Sequence, residues 1–242
     1  MVISIYNHKG GTGKTTTTVN LGRIIKDQGH SVLLIDLDPQ ANLTYSLGVH
    51  KTDVHSVYLS PDHVVETEEG LHILPNYTAP KFMVDYEFPS ETALRDELET
   101  YFTNYDFVLI DCPPAMNLTV VNALLASDGI VLPALLDVLS LEALNQVIAA
   151  IKELLKEHKH SLKFSVVLPV MVDSRRLLTN EVKKYIETSF ETPIFENYIR
   201  MNVKLAEAPS HGKSVVAYAP SSNGASDYEK VAIELLEYIK GL

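Results

Sequence analysis

A glycine-rich turn near the start of the chain joins an apolar run to a helical stretch, and this arrangement constrains the fold most. The run Val2–Tyr6 predicts a buried strand, and the stretch from about Lys14 to Gln28 predicts a helix that Gly29 would end. Glycines allow backbone N–H groups to turn inward around phosphate oxygens, and the following helix adds the positive end of its dipole. The sequence therefore predicts a phosphate-binding loop in this segment. Its residues are Gly10, Gly11, Thr12, Gly13, Lys14 and Thr15.

Two side chains at the end of this loop have the chemistry that a nucleotide–metal complex needs. We expect Lys14 to neutralise the β- and γ-phosphates and the hydroxyl of Thr15 to ligate Mg²⁺. The expected cofactors are therefore ATP or ADP and Mg²⁺.

Carboxylates follow two further predicted strands. Asp36 ends the apolar run that begins at Ser31, and Asp38 follows two residues later, so both would lie at the carboxyl end of a strand. Asp111 ends the run that begins at Phe107, which is the pattern of a carboxylate that holds Mg²⁺ directly or through water. Many strands end in aspartate, and an Asp-Pro turn that closes a strand is a purely structural alternative. Together with the phosphate loop, however, the pattern predicts a metal site.

The rest of the chain alternates short apolar runs with helical stretches. This pattern predicts an α/β fold with a mostly parallel twisted sheet and helices on both faces, the architecture of a P-loop nucleotide-binding protein. Further strands are predicted at Leu71–Leu74, Gly129–Leu132 and Phe164–Val172. Helices are predicted at Ser90–Tyr101, Ser140–His158, Thr179–Thr188 and from a capping box at Ser226 to about Lys240, and Ala208–Ser226 is predicted as a loop.

Composition limits the classes of function. The 242 residues suffice for one domain, and the single cysteine, Cys112, allows neither an intrachain disulfide nor a two-cysteine metal site. A formal net charge of -11 excludes attraction of the whole surface to DNA, so any nucleic-acid contact needs a local basic patch. No apolar run approaches the roughly 20 residues of a membrane span, and no membrane partner is expected.

The phosphate loop has an additional lysine, and this carries a resemblance to a known family. Lys9 precedes Gly10, and His8 stands where the usual phosphate-loop pattern has its first glycine. The loop resembles the deviant Walker A motif of the ParA/MinD superfamily, although that family more often has Gln at the position of His8. The resemblance implies a homodimer in which Lys9 reaches the nucleotide of the partner protomer.

The resemblance also implies roles for individual residues. Asp36–Asn42 is similar to the superfamily's DxDPQxN segment, so Asp38 is expected to orient the attacking water and Asp36 to support the metal site. Catalytic roles are implied for Lys9, Lys14 and Asp38. Metal roles are implied for Thr15, Asp36, Asp38 and Asp111. Nucleotide contacts are implied for Lys9, Gly10, Gly11, Thr12, Gly13, Lys14, Thr15, Thr16, Asn202, Pro209 and Ser210.

The segment Asn202–Ser214 resembles the ParA/Soj-type partition ATPases within that superfamily, and the likeness extends from Ile3 to the last helix. It implies a slow ATPase, one domain over residues 1–242 without an N-terminal helix-turn-helix domain, and a cytoplasmic, nucleoid-associated location. The implied partners are non-specific double-stranded DNA and a ParB-type activator. Candidate cations for DNA are Arg175, Arg176, Arg200, Lys204 and Lys213, and scattered solvated charges are the alternative interpretation.

Other functions with the same loop remain as alternatives. A MinD-like ATPase at a membrane or other surface needs a basic amphipathic C-terminal helix, whereas the last predicted helix carries Glu229, Glu234 and Glu237. A reductase like the nitrogenase iron protein needs two cluster-binding cysteines per subunit, and this chain has one. A scaffold that only holds ATP would not need Asp38 or Asp111, and an ATP-dependent ligase would need a second small-molecule pocket.

Overall fold

The computed structural model describes residues 1–49, 60–76, 88–173, 184–185 and 192–242. Arg175 and Arg176 lie outside these ranges, as does the helix predicted at Thr179–Thr188 except for its residues 184 and 185.

Seven described strands form one sheet, in the order β3-β4-β2-β5-β1-β6-β7. Every neighbouring pair is parallel except β3 and β4, which are antiparallel at one edge. The predicted fold class, a mostly parallel sheet of a P-loop protein, is therefore confirmed. The strands are β1 (Val2–Ile5), β2 (Val32–Asp36), β3 (Val65–Glu66), β4 (His72–Leu74), β5 (Phe107–Asp111), β6 (Gly129–Leu135) and β7 (Phe164–Val170).

Helices cover both faces of the sheet. One core contains Leu34 together with apolar residues of the first and last helices, and the other contains Leu33 with residues of the central helices. Successive side chains of a strand point to opposite faces, so a continuous apolar strand supplies both cores. The helices are α1 (Lys14–Asp27), α2 (Asn42–Ser46), α3 (Ala93–Tyr101), α4 (Leu118–Ala126), α5 (Val138–Glu157), α6 (Val203–Glu207), α7 (Val215–Tyr218) and α8 (Asn223–Lys240), with 3₁₀ turns at Pro61–His63 and Ala208–His211. Within the described part of the chain, no helix has the length and apolar character needed to cross a membrane.

The structure corrects the helix prediction in three regions. The sequence analysis missed α4, because its apolar residues surround the helix and give no 3.6-residue period, and the structure buries α4 against α3, α5 and β1. The last helix begins at Asn223 and not at Ser226, because the side chain of Ser222 caps it by accepting from the N–H of Ala225. The region predicted as a loop before it contains α7 and a 3₁₀ turn.

Candidate functional site

The phosphate loop joins the carboxyl end of β1 to the start of α1. Gly11 and Gly13 have φ values of 73° and 75°, which residues with a side chain rarely adopt. Gly13 is the N-cap of α1 and has no side chain that could accept a hydrogen bond. The first N–H groups of the helix therefore remain available to donate to another acceptor. Gly10 and Gly11 are exposed. This geometry fits an oxyanion at the start of α1.

The expected metal ligands meet at the edge of the loop. The hydroxyl of Thr15 donates to Oδ2 of Asp111 at 2.6 Å. Asp111 is only 1% exposed, and its Oδ1 has no hydrogen-bond partner among the described residues. A buried carboxylate oxygen without a partner is costly unless a ligand or ion completes it. These two residues therefore fit a bound magnesium ion.

The donor set also agrees with magnesium in particular. Among the described residues, no group of three His, Cys, Asp or Glu side chains is close enough to form a metal cage. Mg²⁺ in nucleotide-binding proteins commonly takes one or two protein ligands and completes its shell with phosphate oxygens and water. A hydroxyl and one carboxylate beside a phosphate loop match that requirement.

Burial controls the electrostatics of the site. It raises the pKa of Asp111 well above its usual range, and the nearby carboxylate of Asp36 adds to this. It also lowers the pKa of Lys14, although the carboxylates of Asp111 and Asp38 oppose that change. Among the residues that the structure describes, Nζ of Lys14 donates only to the carbonyl oxygen of Lys9, at 3.4 Å. The site thus contains charged groups that the protein itself stabilises poorly.

Asp36, the last residue of β2, is more buried than Asp38. Oδ2 of Asp36 accepts from the backbone N–H and the hydroxyl of Thr44 at 2.8 and 2.7 Å, and Oδ1 accepts from the N–H of Asp38 at 3.2 Å. Burial raises the pKa of Asp36 to about 7 despite these three hydrogen bonds. Asp36 therefore holds Thr44 and the backbone of Asp38 in place, and its support of the metal site stays a prediction.

The second aspartate begins the turn into α2. Asp38 is 8% exposed, and its Oδ1 accepts from the N–H of Gln40 at 2.9 Å. Thr44 and Asn76 also belong to this network, and the sequence analysis missed both residues. Their only sequence signal is a polar side chain shortly after each of two neighbouring strands, β2 and β4.

The backbone of Lys9 belongs to the phosphate loop, whereas its side chain points away from the loop toward α5. Its carbonyl oxygen accepts from Thr12 and Lys14, at 3.3 and 3.4 Å. Its Nζ lies 3.0 Å from Oγ of Ser140, whose hydroxyl donates to Asp137 at 2.8 Å. Asp137 and Ser140 form the N-terminus of α5, and the sequence analysis did not predict their contact with the loop.

The three residues of the C-terminal half that were predicted to contact the nucleotide lie beside α6. Asn202 is the N-cap of α6 and accepts from the N–H of Lys204 at 2.8 Å. Pro209 and Ser210 line a cleft of about 520 Å³ with residues that follow α2, among them Gly48. In the part of the chain that the structure describes, no hydrogen bond joins these three residues to the phosphate loop. Their nucleotide contacts stay a prediction.

The candidate DNA-binding cations differ in how far they are already paired. Arg200 donates to both carboxylate oxygens of Asp227, with a shortest distance of 2.6 Å. Lys204 pairs with Glu207 at 2.7 Å and lies over the ring of Tyr218. Lys213 is exposed on the segment between α6 and α7. In the described part of the chain, Arg200 and Lys204 thus pair with different carboxylates, and no contact shared by these two residues and Lys213 is present.

The single cysteine agrees with its interpretation as a small buried residue. Cys112 is fully buried after β5, and burial raises the pKa of its thiol to about 12. A thiol that stays protonated is a poor nucleophile.

Comparison with known proteins agrees with this geometry. A family described as an AAA domain matches residues 1–164. The chain is 36% identical over 246 residues to the sporulation initiation inhibitor protein Soj of Bacillus subtilis, with 97% of each protein covered.

Solved structures show the same fold. Cobyrinic acid a,c-diamide synthase of Mycobacterium smegmatis with bound ADP and magnesium is 28% identical, with a TM-score of 0.80 and coverage of 99% of this chain and 95% of that one. The cell division ATPase MinD of Pyrococcus furiosus is 26% identical, with a TM-score of 0.80 and 98% of both chains covered. The chain belongs to the ParA/MinD superfamily of P-loop ATPases and is a Soj/ParA-type member of it.

Proposed function

We propose that this protein is a partition ATPase whose MgATP-bound homodimer binds DNA without sequence preference and leaves it after hydrolysis. In this proposal, hydrolysis is slow until a ParB-type partner stimulates it. Support comes from the site geometry and from the likeness to Soj over nearly the whole chain. We further propose that residues 1–242 act as one ATPase domain in the cytoplasm, in association with the nucleoid.

The described side chains divide the chemistry between binding and water activation. The N–H groups at the start of α1 and the amine of Lys14 would bind the phosphates. Thr15 and Asp111 would hold magnesium, which would supply positive charge to the phosphates. Asp38 is the less deeply buried carboxylate of the pair and orients the attacking water in this proposal. Phosphoryl transfer to water needs such positioning and charge neutralisation, and no covalent nucleophile.

The position of Lys9 is the observation that carries the dimeric part of the proposal. Its backbone belongs to the phosphate loop, yet its amine is turned toward Ser140 at the start of α5. The amine therefore does not serve the phosphates of its own protomer in this arrangement. A second protomer that docks on this edge of the sheet would bring its own triphosphate within reach of Lys9.

The DNA contact is the least constrained part. Among the described candidates, Lys213 has the most accessible charge, whereas the guanidinium of Arg200 is committed to Asp227. Each phosphate that a cation neutralises adds roughly 0.9 to the slope of log affinity against log salt concentration on duplex DNA. Lys213→Glu should thus reduce that slope by about 0.9 per protomer.

The test combines phosphate release with DNA binding. Wild-type protein should release phosphate from MgATP, and Asp38→Ala should strongly reduce this release, to a low but measurable rate, while nucleotide binding continues. Duplex DNA should be bound with ATP and not with ADP, with Lys230→Glu on α8 as a control for added negative charge. A protein that binds DNA equally well with ADP, with ATP and without nucleotide would contradict the proposed switch.

A MinD-like function at a membrane or other surface is the second candidate, and the likeness to the MinD structure favours it. The apolar stripe of α8 opposes it, because Tyr228, Val231 and Leu235 are buried in the core and are therefore not available to bind lipid. Co-sedimentation with anionic liposomes and ATP separates the two candidates. Binding to liposomes without binding to DNA would favour the MinD-like function.

A further inference from the structure

An asparagine at the end of β4 lies beside the catalytic turn. β4 pairs in parallel with β2 through Ile35 and Leu74, so the residues after both strands meet at the same edge of the sheet. Asn76 follows β4 by two residues and is 6% exposed. A buried asparagine at this edge needs hydrogen-bond partners, and it finds two of them in the segment that contains Asp38.

Asn76 contacts this segment at two points. Its side-chain Nδ2 donates to the carbonyl oxygen of Asp38 at 3.1 Å. Its backbone N–H donates to Oγ1 of Thr44 at 2.9 Å, and the same hydroxyl donates to Asp36. A hydroxyl has one proton to donate and can accept at the same time, so the three groups satisfy one another in a chain. Asn76 therefore connects β4 to Asp36, the last residue of β2, and to Asp38, which follows it.

The turn that Asn76 contacts has an unfavourable backbone. The N–H of Ala41 donates to the carbonyl oxygen of Asp38 at 2.8 Å, which closes a four-residue turn. Ala41 has a φ of 52°, a left-handed conformation that costs a residue with a side chain energy. Such a conformation persists only where its surroundings hold it. The carbonyl oxygen of Asp38 is the point at which the turn and the amide of Asn76 meet.

We propose that Asn76 is a positioning residue for hydrolysis: it fixes the Asp38–Ala41 turn and thereby the direction of the Asp38 carboxylate. This inference rests on the proposed role of Asp38 in orienting water. The hydrogen bonds of Asn76 to Thr44 and to the Asp38 carbonyl involve neither Thr15 nor Asp111, the two residues assigned to magnesium. Loss of its amide should therefore reduce turnover and leave nucleotide binding intact.

Asn76→Ala is the direct test, with steady-state phosphate release at varied MgATP. We expect kcat to fall about 10- to 100-fold because small displacements of a catalytic group have effects of this size, while KM and the affinity for ADP stay within about twofold. If this variant fails to fold, Asn76→Asp provides the same test, because an ionised carboxylate of equal shape cannot donate to the Asp38 carbonyl.

Asn122 on α4 offers a matched control. It is also a buried asparagine whose Nδ2 bridges elements, and it donates to the carbonyl oxygens of Ser90 and Leu118. Asn122→Ala should lower the melting temperature by at least as much as Asn76→Ala and leave kcat of the folded protein unchanged. A purely structural role for Asn76 would make the two variants alike in kcat.

Coupling to Asp38 completes the test. In the background Asp38→Ala, adding Asn76→Ala should cause no further loss of kcat, because the two residues act through one group. Additive losses would overturn the inference, and so would a single variant with normal kcat. If wild-type protein hydrolyses no ATP, or if Asp38→Ala is fully active, the proposed function fails, and this result is distinct from failure of the role of Asn76.

Discussion

The charged groups of the phosphate-loop region and of the C-terminal region are stabilised in opposite ways. In the described part of the phosphate-loop region, Oδ1 of Asp111 is buried without a hydrogen-bond partner, and Nζ of Lys14 donates only to a carbonyl oxygen. In the C-terminal region, Arg200 pairs with Asp227, and Glu234 on α8 accepts from two backbone N–H groups at 2.6 and 2.9 Å.

The contrast shows where the fold leaves interactions for a ligand. The C-terminal charges connect α8 to the chain segment before α6, so they stabilise the protein itself. The charges near the phosphate loop destabilise the ligand-free protein, because burial disfavours their charged forms. Bound MgATP would supply the missing partners. The four predictions that follow test this contrast, from the largest expected effect to the smallest.

The largest effect is expected for Lys14→Ala. Loss of its amine removes positive charge from the transferred phosphate, and removal of one such group commonly lowers kcat by about 100- to 1,000-fold. Because Lys14 is poorly stabilised without ligand, the variant should melt at or above the wild-type temperature. Phosphate release and thermal melting measure the two effects. Lys26→Ala, at the far end of the same helix, is the control and should retain full activity.

Ligand binding should stabilise the phosphate-loop region strongly. At a free MgADP concentration of about 100 times Kd, a site that exists only in the folded state gains about 2.7 kcal/mol. The melting temperature should rise with MgADP, and chelation of magnesium with EDTA should remove much of the increase. Asp111→Asn should show a smaller magnesium-dependent part, since one ligand is lost. A melting temperature that MgADP does not change would contradict the inferred difference between the phosphate-loop region and the C-terminal region.

The ion pair in the C-terminal region should matter for stability and not for turnover. Arg200→Ala leaves the buried carboxylate of Asp227 with fewer donors, which should cost about 1.5–3 kcal/mol of unfolding free energy. Chemical denaturation measures this loss, and kcat of the folded protein should change less than about twofold. Lys230→Ala, an exposed lysine on α8, serves as the control. A variant of Arg200 with normal stability and weaker DNA binding would instead assign this residue to the DNA surface.

The smallest effect is expected at the contact of Lys9 with α5. Ser140→Ala removes the hydroxyl that holds the amine within its own protomer, and one hydrogen bond contributes about 1 kcal/mol, or roughly fivefold in an equilibrium. Both protomers of the symmetric dimer lose this hydrogen bond, so dimerisation with an ATP analogue should occur at roughly 25-fold lower protein concentration. Sedimentation velocity over a concentration series measures the shift. Weaker dimerisation would mean that Ser140 positions Lys9 for its partner.

Six of the seven described strands and the phosphate loop could be predicted from the sequence because they depend on local patterns, whereas the two-residue edge strand β3 was not predicted. Asp111 ends β5, and Thr15 follows Lys14, so their contact could be expected from parallel strands that end at one edge. The contacts of Asn76 and Ser140 could not be predicted, because they depend on which strands become neighbours and on turns that have no recognisable sequence motif. The predicted beginning of α8 was wrong for a similar reason. Serine at position 222 and serine at position 226 are both suitable N-caps in the sequence, and in the structure Ser222 is the N-cap.

Light scattering of the protein with a non-hydrolysable ATP analogue, for wild type and for Lys9→Ala, tests the central claim most directly. We predict that wild-type protein is a monomer of 26.9 kDa with ADP and has twice that mass with the analogue. Lys9→Ala should bind the analogue and remain a monomer. A wild-type protein that stays monomeric with the analogue, or a Lys9→Ala variant that dimerises as well as wild type, would contradict a nucleotide completed by a lysine from the partner protomer.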